Sequence, residues 1–151
     1  MYVDDDGYVQ QSKVVIVWGA PASGKTTYVR QHRQRGDLVV DLDLIKQSIS
    51  MESKTEVPMS LLPVAIKIRD TLINEIALEN VTAKTIWIIT CEQDLRKLQE
   101  LRRKTHAELY QCVCSEKECY RRALDDDERK DKDHQMKIIK RWFEKRKGAS
   151  W

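Results

Sequence analysis

No apolar run in this chain approaches the roughly 20 residues that a membrane-spanning helix needs. Residues 1–12 are acidic and polar with no apolar core, so they lack the pattern of a secretory signal. Charge of one sign is lacking too: 27 Lys and Arg face 24 Asp and Glu, and a net +3 is by itself only a weak pull toward polyanions. The cysteines Cys91, Cys112, Cys114 and Cys119 include no second pair at ligand spacing, and His32, His106 and His134 are scattered, so a zinc site is not expected. Reduced, structural thiols in a soluble cytoplasmic protein are the expectation, with Cys112 and Cys114 on one face of a strand. There is no internal repeat and no long linker, and 151 residues is the usual size of one domain, expected over 1–151.

What is present is an alternation of two hydrophobic periods. Lys13 to Trp18 is a short β-branched run ending at a glycine, the pattern of a strand buried on both faces of a parallel sheet. A helix pattern follows from Lys25 to Arg35, with Gly36 as its stop. Leu38 to Leu42 reads as a second strand and Leu44 to Met51 as a helix. Residues 52–60, with Pro58, read as a loop, and Leu62 to Glu79 as an amphipathic helix. Thr85 to Thr90 is the third strand, Asp94 to Thr105 a basic helix, and Leu109 to Cys114 the fourth strand. Glu116 to Arg146 is helical and charged, with an interruption at the acids Asp125 to Glu128. Such alternation predicts an α/β fold, a parallel sheet of four to five strands with helices on both faces.

Between the first strand and its helix stand Gly19, Ala20, Pro21, Ala22, Ser23, Gly24, Lys25, Thr26 and Thr27, a complete phosphate-binding loop. A phosphate chain needs many donors in a small concavity, and successive backbone N–H groups leading into a helix N-terminus supply them. Gly19 and Gly24 permit the turn, Lys25 reaches the β- and γ-phosphates, and the Thr26 hydroxyl is the expected Mg²⁺ ligand. A glycine-rich turn with no ligand does not account for a lysine and two threonines there. ATP and Mg²⁺ are the expected cofactors.

In an open parallel sheet the ligand crevice lies beyond the carboxyl ends of the strands. The residues there are Asp41 and Asp43, then Thr90 to Glu92, then Ser115 onward. Asp43 is either a general base for an attacking hydroxyl or the N-cap of the helix after it. Asp41 faces the other side, is buried near the loop, or helps position Mg²⁺. Basic residues gather at Arg96, Lys97, Arg102, Arg103 and Lys104 and again from Arg121 to Lys147, which fits solvated helix faces as well as a polyanion surface.

Gly19 to Thr27 followed by Asp41-Leu-Asp43-Leu-Ile-Lys46-Gln-Ser-Ile49 resembles the kinase domain of the phage polynucleotide 5′-hydroxyl kinases and their small P-loop kinase relatives. The resemblance implies a three-layer P-loop NTPase fold, with Asp43 as general base and Lys46 touching the acceptor or phosphate. It also implies a helical lid at about 116–135, whose Arg122 and Arg129 close on the transferring phosphoryl group. On the residues alone these arginines pair equally well with Asp125 to Glu128. The chain departs from the family at Lys46, where an arginine is usual and a bidentate fork is lost, and at Thr90-Cys91-Glu92, where an aspartate is usual. Either Glu92 or Asp94 takes that place, or Asp41 and Asp43 hold the metal through water, or activity is weakened.

The reading is therefore an ATP-dependent phosphotransferase acting on a hydroxyl of a nucleotide or polynucleotide 5′ end, without a membrane partner. Its alternative is an ATP-binding or slowly hydrolysing switch that acts through a partner protein. An oligonucleotide acceptor is expected along Lys46, Lys67, Arg69 and Arg96.

Overall fold

A computed structural model describes residues 1–147, so the last four positions of the domain expected over 1–151 lie outside the described residues. The acidic lead carries an element that its polarity hid: β1 (Tyr2–Val3) pairs antiparallel with β2 (Val9–Gln10). Asp4 builds the turn. Its Oδ1 accepts from the N–H groups of Asp6 and Tyr8 and its Oδ2 from Gln10 Nε2, while Gly7 takes φ 86°.

The main sheet holds four parallel strands, β3 (Lys13–Trp18), β4 (Leu38–Asp41), β5 (Thr85–Thr90) and β6 (Glu108–Gln111), in the order β4-β5-β3-β6. The helices are α1 (Lys25–His32), α2 (Leu42–Ser50), α3 (Leu62–Ala77), α4 (Leu95–Thr105), α5 (Glu116–Asp125) and α6 (Lys132–Lys147). Side chains alternate along each strand, so the two faces have separate cores. Val15, Val17, Trp87 and Ile89 pack with Val29 of α1 on one face. Ile16, Trp18, Ile86 and Ile88 pack on the other, against Ile76 of α3, Leu98 of α4, Ala123 of α5 and Ile139 of α6. Three layers result, and β3, the strand before the phosphate loop, is buried on both faces.

The step from β3 to β4 crosses in one direction over the α1 face, and the steps from β4 to β5 and from β5 to β6 cross in the other direction over the opposite face. Opposite directions on opposite faces give all three crossovers the same hand. The loop after β3 thus departs toward one face and those after its neighbours β5 and β6 toward the other, which opens a crevice beyond the carboxyl end of β3.

Several boundaries differ from the sequence expectation, Met59–Leu61 forms a 3₁₀ turn at the end of the loop expected over 52–60, and three of the differences have a visible physical reason. Helix α1 stops at His32, because Arg33 is extended and residues 34–37 close their own turn, Gln34 N–H on Asp37 Oδ2 at 2.9 Å with Gly36 at φ 93°. Asp41, not Asp43, caps α2: its carboxylate accepts from Asp43 N–H at 3.2 Å, so the strand ends one residue earlier. Strand β6 ends at Gln111, because its ladder partner β3 ends at Trp18 and the last bond available is Cys112 N–H to the Trp18 carbonyl at 2.8 Å. Cys112 and Cys114 therefore do not share a strand face. Cys112 packs with the α1 core and Cys114 with the opposite one. Among the described residues no helix is long and apolar enough to cross a membrane.

Candidate functional site

The phosphate loop wraps the start of α1. Gly24 caps that helix at φ 97°, and Gly19 at φ 153° lies under β6, where a β-carbon would fall 2.7 Å from the Cys112 carbonyl oxygen. Ala20 and Ser23 are buried, and Ala22 adopts φ 62°. Lys25 is 7% exposed, a burial that an ammonium group tolerates only with partners. It has three: Nζ donates to the carbonyls of Gly19 at 3.1 Å and Ala20 at 2.6 Å, and to Ser23 Oγ at 3.5 Å. The lysine is thus held across its own loop, where a phosphate can exchange for carbonyl oxygens. Thr26 follows in the first turn of α1, half-buried, and Thr27 is exposed. Pro21 is half-buried in the turn after Ala20.

The second wall comes from the end of β4. Asp41 is 8% exposed. Burial pushes its carboxyl above the ordinary value and the charge of Asp43 adds to this, against the Asp43 N–H bond and the charges of Lys54 and Lys25. Asp41 is thus a buried carboxyl at the end of β4 that feels the charge of Lys25. Asp43, one residue into α2, keeps 44% of its side chain exposed and pairs with Lys46 Nζ at 3.8 Å, one helical turn on. The sequence placed Asp41, Asp43 and Lys46 in this region; Lys54, half-buried and acting on Asp41, carried no signal in its own loop sequence.

The end of β5 is engaged in local structure. Asp94 Oδ1 caps α4 through the N–H groups of Arg96 and Lys97, Glu92 Oε1 accepts from Asp94 N–H at 2.9 Å, and the Cys91 carbonyl accepts from Trp142 Nε1 at 2.7 Å. One oxygen of each carboxylate, Glu92 Oε1 and Asp94 Oδ1, is thus turned to backbone at the strand end where an acid was expected. The Trp142 bond, which ties α6 to this strand end, was not foreseen; an indole N–H inside an apolar helix stripe was its one trace.

The third wall is α5. Ser115 caps it by accepting from Glu118 N–H at 3.1 Å, with Cys114 just before the cap and Cys119 buried one turn in. Burial pushes the Cys119 thiol up to about 12, so it packs as an apolar group. This start places Arg122 two turns along, and its Nη1 donates to the Ser23 carbonyl at 2.9 Å, beside the Cα of Gly24. Arg122 is therefore brought to the phosphate loop across 99 positions of sequence. Arg129 is engaged elsewhere: its Nε pairs with Asp126 at 3.1 Å and its Nη1 donates to Gln135 at 2.6 Å, so it fastens the turn between α5 and α6. Arg121 pairs outward with Glu118 and Asp125.

The donor set suits Mg²⁺, which takes hard oxygen ligands, keeps several waters, and needs only one or two protein groups besides phosphate. The Thr26 hydroxyl and the Asp41 and Asp43 carboxylates are of that kind.

One chain of the Pnkp1/Rnl/Hen1 RNA repair complex superposes with a TM-score of 0.66 at 16% identity, over 97% of this chain and 49% of that one. TT1252 from Thermus thermophilus superposes at 0.55 and 18% identity, over 94% and 87%. The chain shares their fold, a four-stranded parallel sheet flanked by helices. A candidate kinase from Chloroflexus aurantiacus superposes at 0.52 and 19% identity, over 86% and 78%. The chain spans about half the length of the RNA repair chain that it matches. No protein-family model and no curated protein matches it. At these identities the likeness fixes the fold alone, and the chemistry must be argued from the residues themselves.

Proposed function

We propose that this chain is an ATP-dependent phosphotransferase that moves the γ-phosphoryl group to a hydroxyl of a nucleotide or of a polynucleotide 5′ end. The observation that carries this reading is the Arg122 guanidinium on the Ser23 carbonyl, which lays a cation of the α5 lid onto a phosphate loop already holding Lys25. A device that only binds nucleotide needs the loop; a lid cation and an accessible carboxylate beside it suit transfer.

In this reading the loop N–H groups and Lys25 hold the β- and γ-phosphates, and Thr26, helped by Asp41, would hold Mg²⁺, which would neutralise phosphate charge. Asp43, exposed enough to meet an acceptor, takes the proton of the attacking hydroxyl. The hydroxyl oxygen bonds to the γ-phosphorus, the bond to the β-phosphate oxygen breaks, and ADP leaves with that electron pair. Arg122 offsets charge on the transferring group, Lys46 steadies Asp43 and meets the acceptor, and Arg129 keeps the lid turn in shape.

A second reading, a nucleotide-dependent switch acting through a partner, draws on Cys91 at the end of β5 and on the engagement of Glu92 and Asp94 with backbone. Asp43→Asn separates the two: a phosphotransferase loses turnover and keeps ATP affinity, whereas a switch keeps its partner-dependent behaviour. The primary test is label transfer from γ-labelled ATP to nucleosides, nucleotides and 5′-hydroxyl oligonucleotides, with Lys25→Ala as the blank.

A further inference from the structure

The loop of residues 51–58, which follows α2, is fastened to the turn between α5 and α6. Thr55 Oγ1 donates to the Glu128 carbonyl at 2.8 Å and accepts from Lys130 N–H at 3.4 Å. Beside it Lys130 Nζ pairs with Glu56 Oε1 at 3.1 Å, and Glu56 Oε2 accepts from Ser53 Oγ at 3.0 Å. One hydroxyl that both donates and accepts between two loops fixes their mutual register, since both bonds are lost if either loop slides. The flanking ion pair joins the same two loops and no others. Lys54 lies between Ser53 and Thr55, half-buried in the loop that these bonds fasten, and its charge reaches the buried carboxyl of Asp41.

That placement has an electrostatic consequence. A phosphorylated acceptor approaching Asp43 brings further negative charge toward that carboxylate, and a nearby cation offsets the repulsion. Lys25 and Arg122 belong to the loop and lid on the donor side, and Lys46 is paired with Asp43. Lys54 is a further cation, one whose charge acts on Asp41 and which is not paired in the same way.

We propose that Thr55 and the Glu56–Lys130 pair clasp the 53–56 loop to the lid so that the two close as one unit, and that Lys54, carried by this clasp, contacts a phosphate of the nucleotide or oligonucleotide acceptor. Thr55 is then a positioning residue and Lys54 a binding residue for the acceptor, not for ATP. The acceptor role rests on the phosphotransferase reading; the clasp does not.

Two measurements on the full chain test it. Amide hydrogen exchange reads the clasp without turnover: Thr55→Val should speed exchange in residues 53–57 and 126–130 together, and Thr55→Ser should restore both. Speeding confined to one loop overturns the clasp. Steady-state transfer to 5′-hydroxyl oligonucleotides and to nucleotides reads Lys54. Lys54→Met should raise the acceptor KM about tenfold, the loss of one charge-assisted contact, with the ATP KM little changed and Lys54→Arg restoring most of the loss. For an oligonucleotide the slope of log affinity against log salt should also shrink by roughly 0.7, one phosphate contact on a single strand. An unchanged acceptor KM, or a rise in the ATP KM instead, overturns the Lys54 assignment. A wild-type chain that labels no acceptor at all overturns the phosphotransferase reading and the acceptor role with it, and the exchange pattern still decides the clasp.

Discussion

Replacing Gly19 with alanine tests how tightly the phosphate loop is built under β6. A β-carbon there meets the Cys112 carbonyl oxygen at 2.7 Å and Ser23 Oγ at 2.8 Å, at φ +153°. The carbonyl cannot step aside cheaply, because the Cys112 N–H is bonded to the Trp18 carbonyl at 2.8 Å and moving one strains the other. A non-glycine residue in such a backbone region costs about 1–3 kcal/mol, and forcing a methyl group into a packed site costs about 1–3 kcal/mol more. Together they give a loss of roughly 2–6 kcal/mol, and at about 2–4 °C per kcal/mol for a chain of this length the melting temperature should fall by roughly 4–24 °C. Gly24→Ala is the internal control. Its φ of +97° carries the same backbone cost, but its one close neighbour is Arg122 Nη1 at 3.0 Å, the end of a flexible side chain. It should lose only about 1–3 kcal/mol while displacing the lid arginine. Thermal melting by circular dichroism should therefore rank wild type above Gly24→Ala above Gly19→Ala. If Gly19→Ala melts with the wild type, or if the two variants exchange places, the crowding argument is refuted.

Further outcomes follow from the three walls of the crevice. Asp41 is raised by burial first, so its folded pKa exceeds the unfolded one; it contributes stability below its ordinary 3.8 that is lost as pH rises through the folded value. Asp41→Asn, which keeps the helix cap, should raise the melting temperature at neutral pH by a margin that shrinks on acidification; a margin that grows toward acid contradicts this. Arg122→Gln should lower the transfer rate by about 10²–10³ with little change in melting, because its side chain is 44% exposed. Arg129→Gln should do the reverse, costing about 1–3 kcal/mol in denaturant titration, because Arg129 is 13% exposed and serves the buried Gln135. Ser115→Ala should cost about 1 kcal/mol and lower turnover beyond that, since the cap sets the register of Arg122.

The fold was legible where periodicity is strong. Lys13 to Trp18 and Thr85 to Thr90 are short β-branched runs, and both strands fall on those bounds. Legibility failed where a boundary depends on a partner rather than on local pattern. The run to Cys114 reads as strand, but β6 can extend only as far as β3 offers carbonyls, so it stops at Gln111. The first β-hairpin was missed because Asp4, not an apolar alternation, holds it together. At the candidate site, the loop 19–27 stands out in the sequence because two glycines, a lysine and two threonines fall within nine consecutive residues. Arg122 was reachable only by resemblance, since its partner Ser23 is 99 positions away. Lys54 and Thr55 had no such guide: their meaning arises from a contact with Glu128 that no local spacing encodes.

The proposed activity stands or falls on one assay. γ-Labelled ATP is offered with nucleosides, nucleotides and 5′-hydroxyl oligonucleotides to the wild-type chain, to Asp43→Asn and to Lys25→Ala. The reading predicts label on at least one acceptor with wild type, loss of transfer with retained ATP affinity in Asp43→Asn, and no transfer above background in Lys25→Ala. Acceptor labelling that survives Asp43→Asn, or a wild-type chain that binds ATP and labels nothing, would contradict it.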